Sequence, residues 1–508
     1  MVKKGLPTFY FIVLFALILP LSLKSQIYPA DGSKLHFRLI GFRFADAVAA
    51  TSYRLEIAEG NINNEDSFNN KIVKTIECNS DSVIAEVPSF GSQYTWRCVY
   101  KSGKVAFTKS ALHHFSTLIN SQINTGQFHF TVTDTSKKYK DYYIFLDDNK
   151  AIYDMKGNPV WFMPDIDGIK VTPRDLKLSP ASTITFLFDP LYEISYYGDV
   201  LWKSPENATV SDSYSESFNH EFTRLANGHY MVLGQDSGIV RITNDQADAR
   251  SKDEVKKMQC GTVIEYDENG HIAWSWKSSK YFSENGIRYN RFSIPGELSD
   301  AHINSFFFDE KSFNLYVGFK NISRIIKVKY PEGKVLNDYG DNNKLPAADN
   351  AIASFSGQHA CRHSDNGYLY LYNNNFDSQA PSFPRILVAT EPGTKSGKLK
   401  KIWEYDCAIP GININDRGIN DFRTGGNVIE LPDQSMFVCM SSTIYTRLFI
   451  VNRDKETLWS ARLEKWNETD KKWVGAFQYR ASICSREEMD RLIWNHSSGK
   501  EHKIILNY

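Results

Sequence analysis

The sequence predicts an all-β protein, a six-bladed β-propeller preceded by a small β-sandwich. Three observations carry this reading. One hairpin unit recurs: a short strand, a turn with glycine and a second strand that often ends in tryptophan. It spans 151–161 with Gly157 and Trp161, 192–202 with Gly198 and Trp202, and 263–274 with Gly270 and Trp274. Weaker copies run 326–334 and 449–459, and 402–406 supplies a sixth. A second unit, a strand running into a turn, appears at 219–228, 301–305 and 355–367, and without histidine at 176–180 and 427–433. Two hairpins make a four-stranded blade, and roughly 64 residues per blade leave room for loop insertions. Finally, 508 residues exceed one ordinary core, and a 14% aromatic content suits many half-buried strands.

Taken in order, residues 1–25 read as a signal peptide. Lys3 and Lys4 form a basic start, Phe9 to Leu23 is almost wholly apolar, and Lys24-Ser25-Gln26 closes it. That run is shorter than the ~20 residues a membrane helix needs. The mature chain is therefore expected to be periplasmic or secreted, with no membrane attachment after cleavage. Residues 26–118 alternate apolar and polar side chains over short strands at Tyr53–Ala58, Val83–Val87 and Tyr94–Tyr100, which predicts the sandwich. The stretches "ATSYRLEIA" and "YTWRCVY" resemble fibronectin III/Ig-like domains. Seven cysteines are an odd number, so at least one is unpaired or pairs between chains. Cys78 and Cys98 are the candidate bridge within the sandwich. No C-x-x-C pair argues for structural zinc.

Residues 119–508 form the propeller. Its innermost strands line a central channel, so residues at matching positions of successive blades converge. His220 and His359 each stand eight residues before a turn glycine, Gly228 and Gly367. His302 leads the strand between them, 82 residues after His220 and 57 before His359. Blades three, four and five therefore each offer one histidine to a shared centre. A single channel histidine is most simply a hydrogen-bonding residue; three at one register point to a site. The other histidines follow no such pattern.

Two chemistries suit a histidine cluster, metal binding or nucleophilic catalysis with anion stabilisation. A carboxylate at the same register would favour metal, and none is evident: Gly426 and Pro173 occupy it in blades six and two, and Glu221 is expected to point off the channel side. Asn304 shares a strand face with His302. Thr424 precedes the blade-six strand, and Lys320 and Arg324 lie on or beside the second strand of blade four. Histidines, amide, hydroxyl and cations without carboxylates describe an oxyanion site, metal-free, better than a metal site. Lysine plus arginine equals aspartate plus glutamate, 59 each, which gives no support to a nucleic-acid partner. No G-x-x-x-x-G-K-[ST] loop is present for a nucleotide.

The stretch Phe355-Ser356-Gly357-Gln358-His359 through Asn366-Gly367 resembles a segment of bacterial arylsulfate sulfotransferases. His302-Ile303-Asn304-Ser305, followed by Asn321 to Val328, resembles a second, and His220-Glu221-Phe222 matches the family's first histidine. The resemblance implies transfer of a sulfuryl group from an aryl sulfate to a phenol, by a ping-pong mechanism through a sulfohistidine, without a nucleotide donor or other cofactor. It makes His359 the nucleophile and His302 the general acid and base. His220, Asn304 and Thr424 would donate to sulfuryl oxygens. Spacing puts Lys320 where the family usually carries arginine; lysine keeps the charge and loses the planar fork. Arg324 is the candidate substitute, although i and i+4 on a strand are ~13 Å apart. Family members can dimerise through the N-terminal region, which leaves a homodimer open. The competing readings are an exported propeller that binds a glycan or protein without catalysis, and a metal-dependent hydrolase or lyase.

Overall fold

A computed structural model of the chain describes residues 27–495, apart from 45–49, 51, 102–106, 135, 167, 169–172, 207–208, 212–215, 245–252, 290–292, 294–298, 341–352, 377–381, 395–396 and 415–421. The expected signal peptide lies outside the described residues. Two compact units emerge. One takes in 41–85 and 93–115. Its strands Ser52–Glu59, Ile72–Cys78, Gln93–Lys101 and Thr108–Lys109 pair antiparallel. Leu55, Ile57 and Trp96 are buried, as the alternation requires. A short helix, Glu65–Asn70, joins the first two strands and is capped by the Asn64 side chain. The buried Arg97 guanidinium holds it in place, bonding Glu56 and Glu65 and lying 4.5 Å from the Phe68 ring centroid.

The cysteine expectation fails here. Cys78 pairs with Tyr53 and Cys98 with Leu55, on strands that flank Ser52–Glu59 from opposite sides. Two strand spacings, ~9.6 Å, exceed the reach of a disulfide, and all seven cysteines are free.

The other unit takes in 34–40, 86–92 and 116 onward. Among the described residues it holds six antiparallel sheets that share one four-strand path. Their inner strands are Arg174–Leu178 (β1), Asn219–Arg224 (β2), Ile303–Asp309 (β3), His359–His363 (β4), Asn427–Glu430 (β5) and Ala481–Ser485 (β6). Each packs against the next, and β6 packs against β1, so the inner strands close a ring. From β1 to β5, the remaining strands of each sheet follow in sequence. The sixth sheet is different: β6 pairs with Tyr142–Leu146, at the opposite end of the unit. That explains why the hairpin at 151–161 has no histidine-type strand before it.

The recurrent tryptophans fasten one sheet to the next. The indole N–H of Trp161 donates to Tyr196 O at 2.8 Å, Trp274 to Pro331 O at 2.8 Å, Trp403 to Arg453 O at 2.8 Å and Trp459 to Met155 O at 3.0 Å. Each acceptor lies at a turn or strand end of the following sheet, so the repeat in sequence is a repeat of inter-sheet bonds. Between these bonds the apolar faces pack together. Met231, Leu233 and Val263 meet Phe306 and Val317, and Tyr370, Tyr372 and Val388 meet Val438 and Phe449. Lys400–Asp406 is the outermost strand of its sheet, paired with Arg385–Thr390, so 402–406 supplies the second strand of its outer hairpin.

Candidate active site

His220, His302 and His359 stand at the same end of β2, β3 and β4, one strand apart. The His220 and His302 rings are 4.9 Å apart between centroids. Tyr479, just before β6, completes the group. Its hydroxyl lies 2.7 Å from His220 Nδ1 and its ring 6.3 Å from that of His359. Convergence of the three histidines does not come from one register, however. Asn219 pairs with Leu233 and His359 with Tyr372, and each partner lies five residues beyond its turn glycine. Asn219 is thus the counterpart of His359, and His220 lies one residue further on, inside a bulge. The conformation recurs at or just before each bulge: Asp175, His220, His302 and Ala360 all take left-handed backbone, with φ of +56°, +56°, +58° and +49°. Non-glycine residues rarely adopt it, and a bulge re-aims the side chain at a strand end.

Each histidine has its own partner at Nδ1. His220 meets Tyr479. His302 Nδ1 lies 3.1 Å from Asp300 Oδ2, while its backbone N–H donates to Asp300 Oδ1 at 2.7 Å. His359 Nδ1 lies 2.7 Å from Asn374 Oδ1. His359 is 1% exposed. Burial pushes its pKa well below 6.5, and the neighbouring Lys320 charge pushes the same way. His220 is lowered well below 6.5 by burial and then by His302 and Arg480. Both rings are therefore neutral through the pH range where free histidine titrates.

Of the other expected residues, Lys320 bears on both buried histidines through its charge, and its N–H donates to His302 O at 2.9 Å. Asn304 is fully buried, with Nδ2 donating to Gln358 O at 2.8 Å, next door to His359. Thr424 is exposed beside Gly425. Arg324 is drawn elsewhere: its Nε lies 3.2 Å from Asp338 Oδ1, on the outermost strand of the same sheet.

Carboxylates lie closer than the sequence reading allowed. Asp300 serves His302. Glu221 is buried, and it accepts from Phe306 N at 3.0 Å and pairs with Arg362. Asp175 pairs with Lys177 at 2.6 Å. Arg480, 4% exposed, binds both, with Nη1 3.6 Å from Asp175 Oδ1 and 3.5 Å from Glu221 Oε2. Its Nη2 also donates to Asn304 O at 2.7 Å. Aspartate and glutamate are thus neutralised by arginine and lysine, and Lys320 and Arg480 make the histidine end favourable to anions.

Sequence reading missed Asn374, Tyr479 and Arg480. The last two lie just before the closing strand β6, whose only signal was the missing inner strand of the first sheet. Tyr479 is tightly seated. Its N–H donates to Asp148 Oδ2 at 2.6 Å, and Asp148 also holds Arg174, whose guanidinium lies 5.2 Å from the tyrosine ring centroid. Gly426 N donates to Tyr479 O at 2.8 Å. A side chain at Gly425 would meet that same carbonyl at 2.6 Å, and Gly425 has φ +72°, so glycine is required there. Burial pushes the Tyr479 hydroxyl up to about 12, which keeps it a hydrogen-bond donor.

The arylsulfotransferase (ASST) family model matches residues 127–391, over half of the chain. The chain belongs to the arylsulfotransferase family. The matched stretch contains all three histidines, Lys320 and Asn374, and ends before Thr424, Tyr479 and Arg480. Membership supports aryl sulfotransferase activity in general, on small aryl molecules. Among solved structures, the Pseudomonas aeruginosa periplasmic gluconolactonase PpgL is similar to this chain at 11% identity and a TM-score of 0.35, over 70% of this chain and 99% of that one. Dihydro-heme d1 dehydrogenase NirN is similar at 9% identity and 0.32, over 74% and 77%. A quinonprotein alcohol dehydrogenase-like protein of Bacteroides thetaiotaomicron is similar at 10% identity and 0.26, over 92% and 100%. No curated protein matches the chain. Among the described residues, no helix is long and apolar enough to cross a membrane.

Proposed function

We propose that the protein is a nucleotide-independent arylsulfate sulfotransferase working by a ping-pong mechanism through a sulfohistidine. The observation that carries this is a buried histidine held neutral, His359, beside two further histidines and two cations. A neutral imidazole nitrogen attacks the sulfur of an aryl sulfate. The N–S bond forms, the S–O bond to the aryl group breaks, and its electron pair leaves on the phenolic oxygen. His302, backed by Asp300, protonates that oxygen and later takes the proton of the accepting phenol. His220, Lys320, Asn304 and Thr424 hold the sulfuryl oxygens. Arg324, committed to Asp338, is left out of this role, so Lys320 alone replaces the expected arginine as a point charge.

The deciding experiment incubates the protein with p-nitrophenyl sulfate and no acceptor, then maps the mass of the His359 peptide. A gain of one sulfuryl group, lost when a phenol is added, is the expected result. Nitrophenol release in the absence of any modified peptide would reject the covalent step. No release with any donor or acceptor would favour an exported propeller that binds a glycan or protein.

Two further outcomes follow from the same geometry. Lys320→Ala is expected to lower kcat/KM for the donor on the order of 10–100-fold, the worth of one hydrogen bond to a charged group. Lys320→Arg is expected to retain activity. Because burial and Lys320 hold His359 below 6.5, cleavage of p-nitrophenyl sulfate should stay flat as pH falls through 6.5, and its acid limb should appear well below. Removing the Lys320 charge raises the His359 pKa, so in Lys320→Ala the limb moves to higher pH. A limb at or above the ordinary histidine value in the unaltered protein would refute the account of His359.

A further inference from the structure

The Nδ1 partner of His359 has its own orientation fixed by two further bonds. Asn374, 4% exposed, donates from Nδ2 to Phe422 O at 2.7 Å and to Gly425 O at 3.1 Å. Both are carbonyls and can only accept, so the amide nitrogen must face them. Its Oδ1 then faces His359 Nδ1 at 2.7 Å. An amide oxygen cannot donate. The hydrogen in that contact therefore belongs to His359, and a neutral imidazole carries only one N–H.

We propose that Asn374 is a positioning residue for the nucleophile: it holds His359 as the Nδ1–H tautomer and so makes Nε2 the nitrogen that attacks sulfur. This deepens the sulfohistidine reading and rests on it. Free neutral imidazole in histidine favours the opposite tautomer, with its lone pair on Nδ1, so the preference must be imposed. The partner's neutrality also matters. As the Nε2 lone pair forms the N–S bond, Nδ1 keeps its proton and the ring becomes cationic. An amide oxygen stabilises that cation without removing the proton, and the cationic ring remains a good leaving group for the second transfer. A carboxylate would bind the proton more strongly and raise the ring's basicity in the resting protein. Asn374 ties the nucleophile to a second part of the site as well, because Phe422 and Gly425 flank Thr424.

The test is nitrogen NMR of the full chain labelled at histidine, with the His359 signals assigned by their absence from His359→Gln. Above the histidine titration range, the expected spectrum has the proton on Nδ1 and a lone pair on Nε2. In Asn374→Ala the Nε2–H tautomer should appear, and donor cleavage should fall on the order of 10–100-fold, the usual effect of losing a partner that orients a reactive histidine. In Asn374→Asp the acid limb of donor cleavage should move to higher pH. Lys320, Arg480, His302, His220 and Tyr479 all still face the ring, so the new carboxylate is the one charge added. A wild-type spectrum with the proton on Nε2 overturns the proposal, as does an Asn374→Ala variant with tautomer and rate unchanged. The wild-type spectrum decides even if loss of the Phe422 and Gly425 bonds unfolds the variants. It also needs no turnover: an Nδ1–H ring without sulfuryl transfer rejects the reaction, whereas active protein with an Nε2–H ring rejects the role of Asn374.

Discussion

His359→Ala is expected to abolish sulfuryl transfer while leaving the protein folded. Loss of a nucleophile that works with an acid–base partner removes nearly all of the catalysis that the group supplies, here roughly 10⁴-fold or more in kcat. The imidazole makes few contacts that hold the sheets together: β4 keeps its backbone pairing with Leu369–Asn373, and Asn374 keeps its two carbonyl acceptors. Circular dichroism and the unfolding midpoint should therefore match the unaltered protein within the effect of one small buried cavity. Added imidazole, small enough to enter that cavity, should restore part of the donor cleavage. A variant that still transfers sulfuryl groups at a tenth of the original rate would remove His359 from the mechanism and direct attention to His302.

Arg480→Met is expected to produce the largest loss of stability of any single change at the centre of the ring. Arg480 is the shared cation of Asp175 and Glu221 and also caps Asn304 O. Breaking a buried pair by removing one partner costs about 3–5 kcal/mol, since the remaining charge is left buried. Lys177 still serves Asp175 and Arg362 still serves Glu221, which places the expected cost near the lower end, about 3 kcal/mol. The urea midpoint measures it. The double variant Arg480→Met/Glu221→Gln should recover part of the loss, because one stranded charge is gone, and the non-additivity gives the coupling. Equal losses in the single and double variants would show that shape rather than charge explains the cost. Transfer activity should fall in both, since Tyr479 and the histidines rest on this network.

The propeller was legible because its repeat has a physical purpose. Trp161, Trp274, Trp403 and Trp459 each sit where an indole N–H reaches the following sheet, so they mark the repeat directly. Histidines leading successive strands were legible for a similar reason: equivalent strand ends face one centre. Their detailed alignment was not, because the bulge of β2 holds one residue more than that of β4, and so His220 and His359 match by distance from glycine while differing by one in pairing. Asp300, Asn374 and Tyr479 act from loops, where no periodicity marks a position. Arg324 looked available because strand spacing shows proximity in sequence and nothing of Asp338, which reaches it from the neighbouring strand. The Cys78–Cys98 bridge failed since two cysteines in one small domain can still lie on strands separated by a third.

Closure of the ring by β6 has a consequence for when the protein becomes competent. The three histidines are all translated more than a hundred residues before Tyr479 and Arg480. Until the last strand docks beside Tyr142–Leu146, the ring has a gap, the carboxylates of Asp175 and Glu221 lack their shared cation, and His220 lacks its tyrosine. A chain cut short before residue 479 would carry the whole reactive trio in an open, unassembled state. Assembly is thus conditional on the seam: the tyrosine that meets His220 follows all three histidines in the chain, and a chain cut before it is expected to be inert.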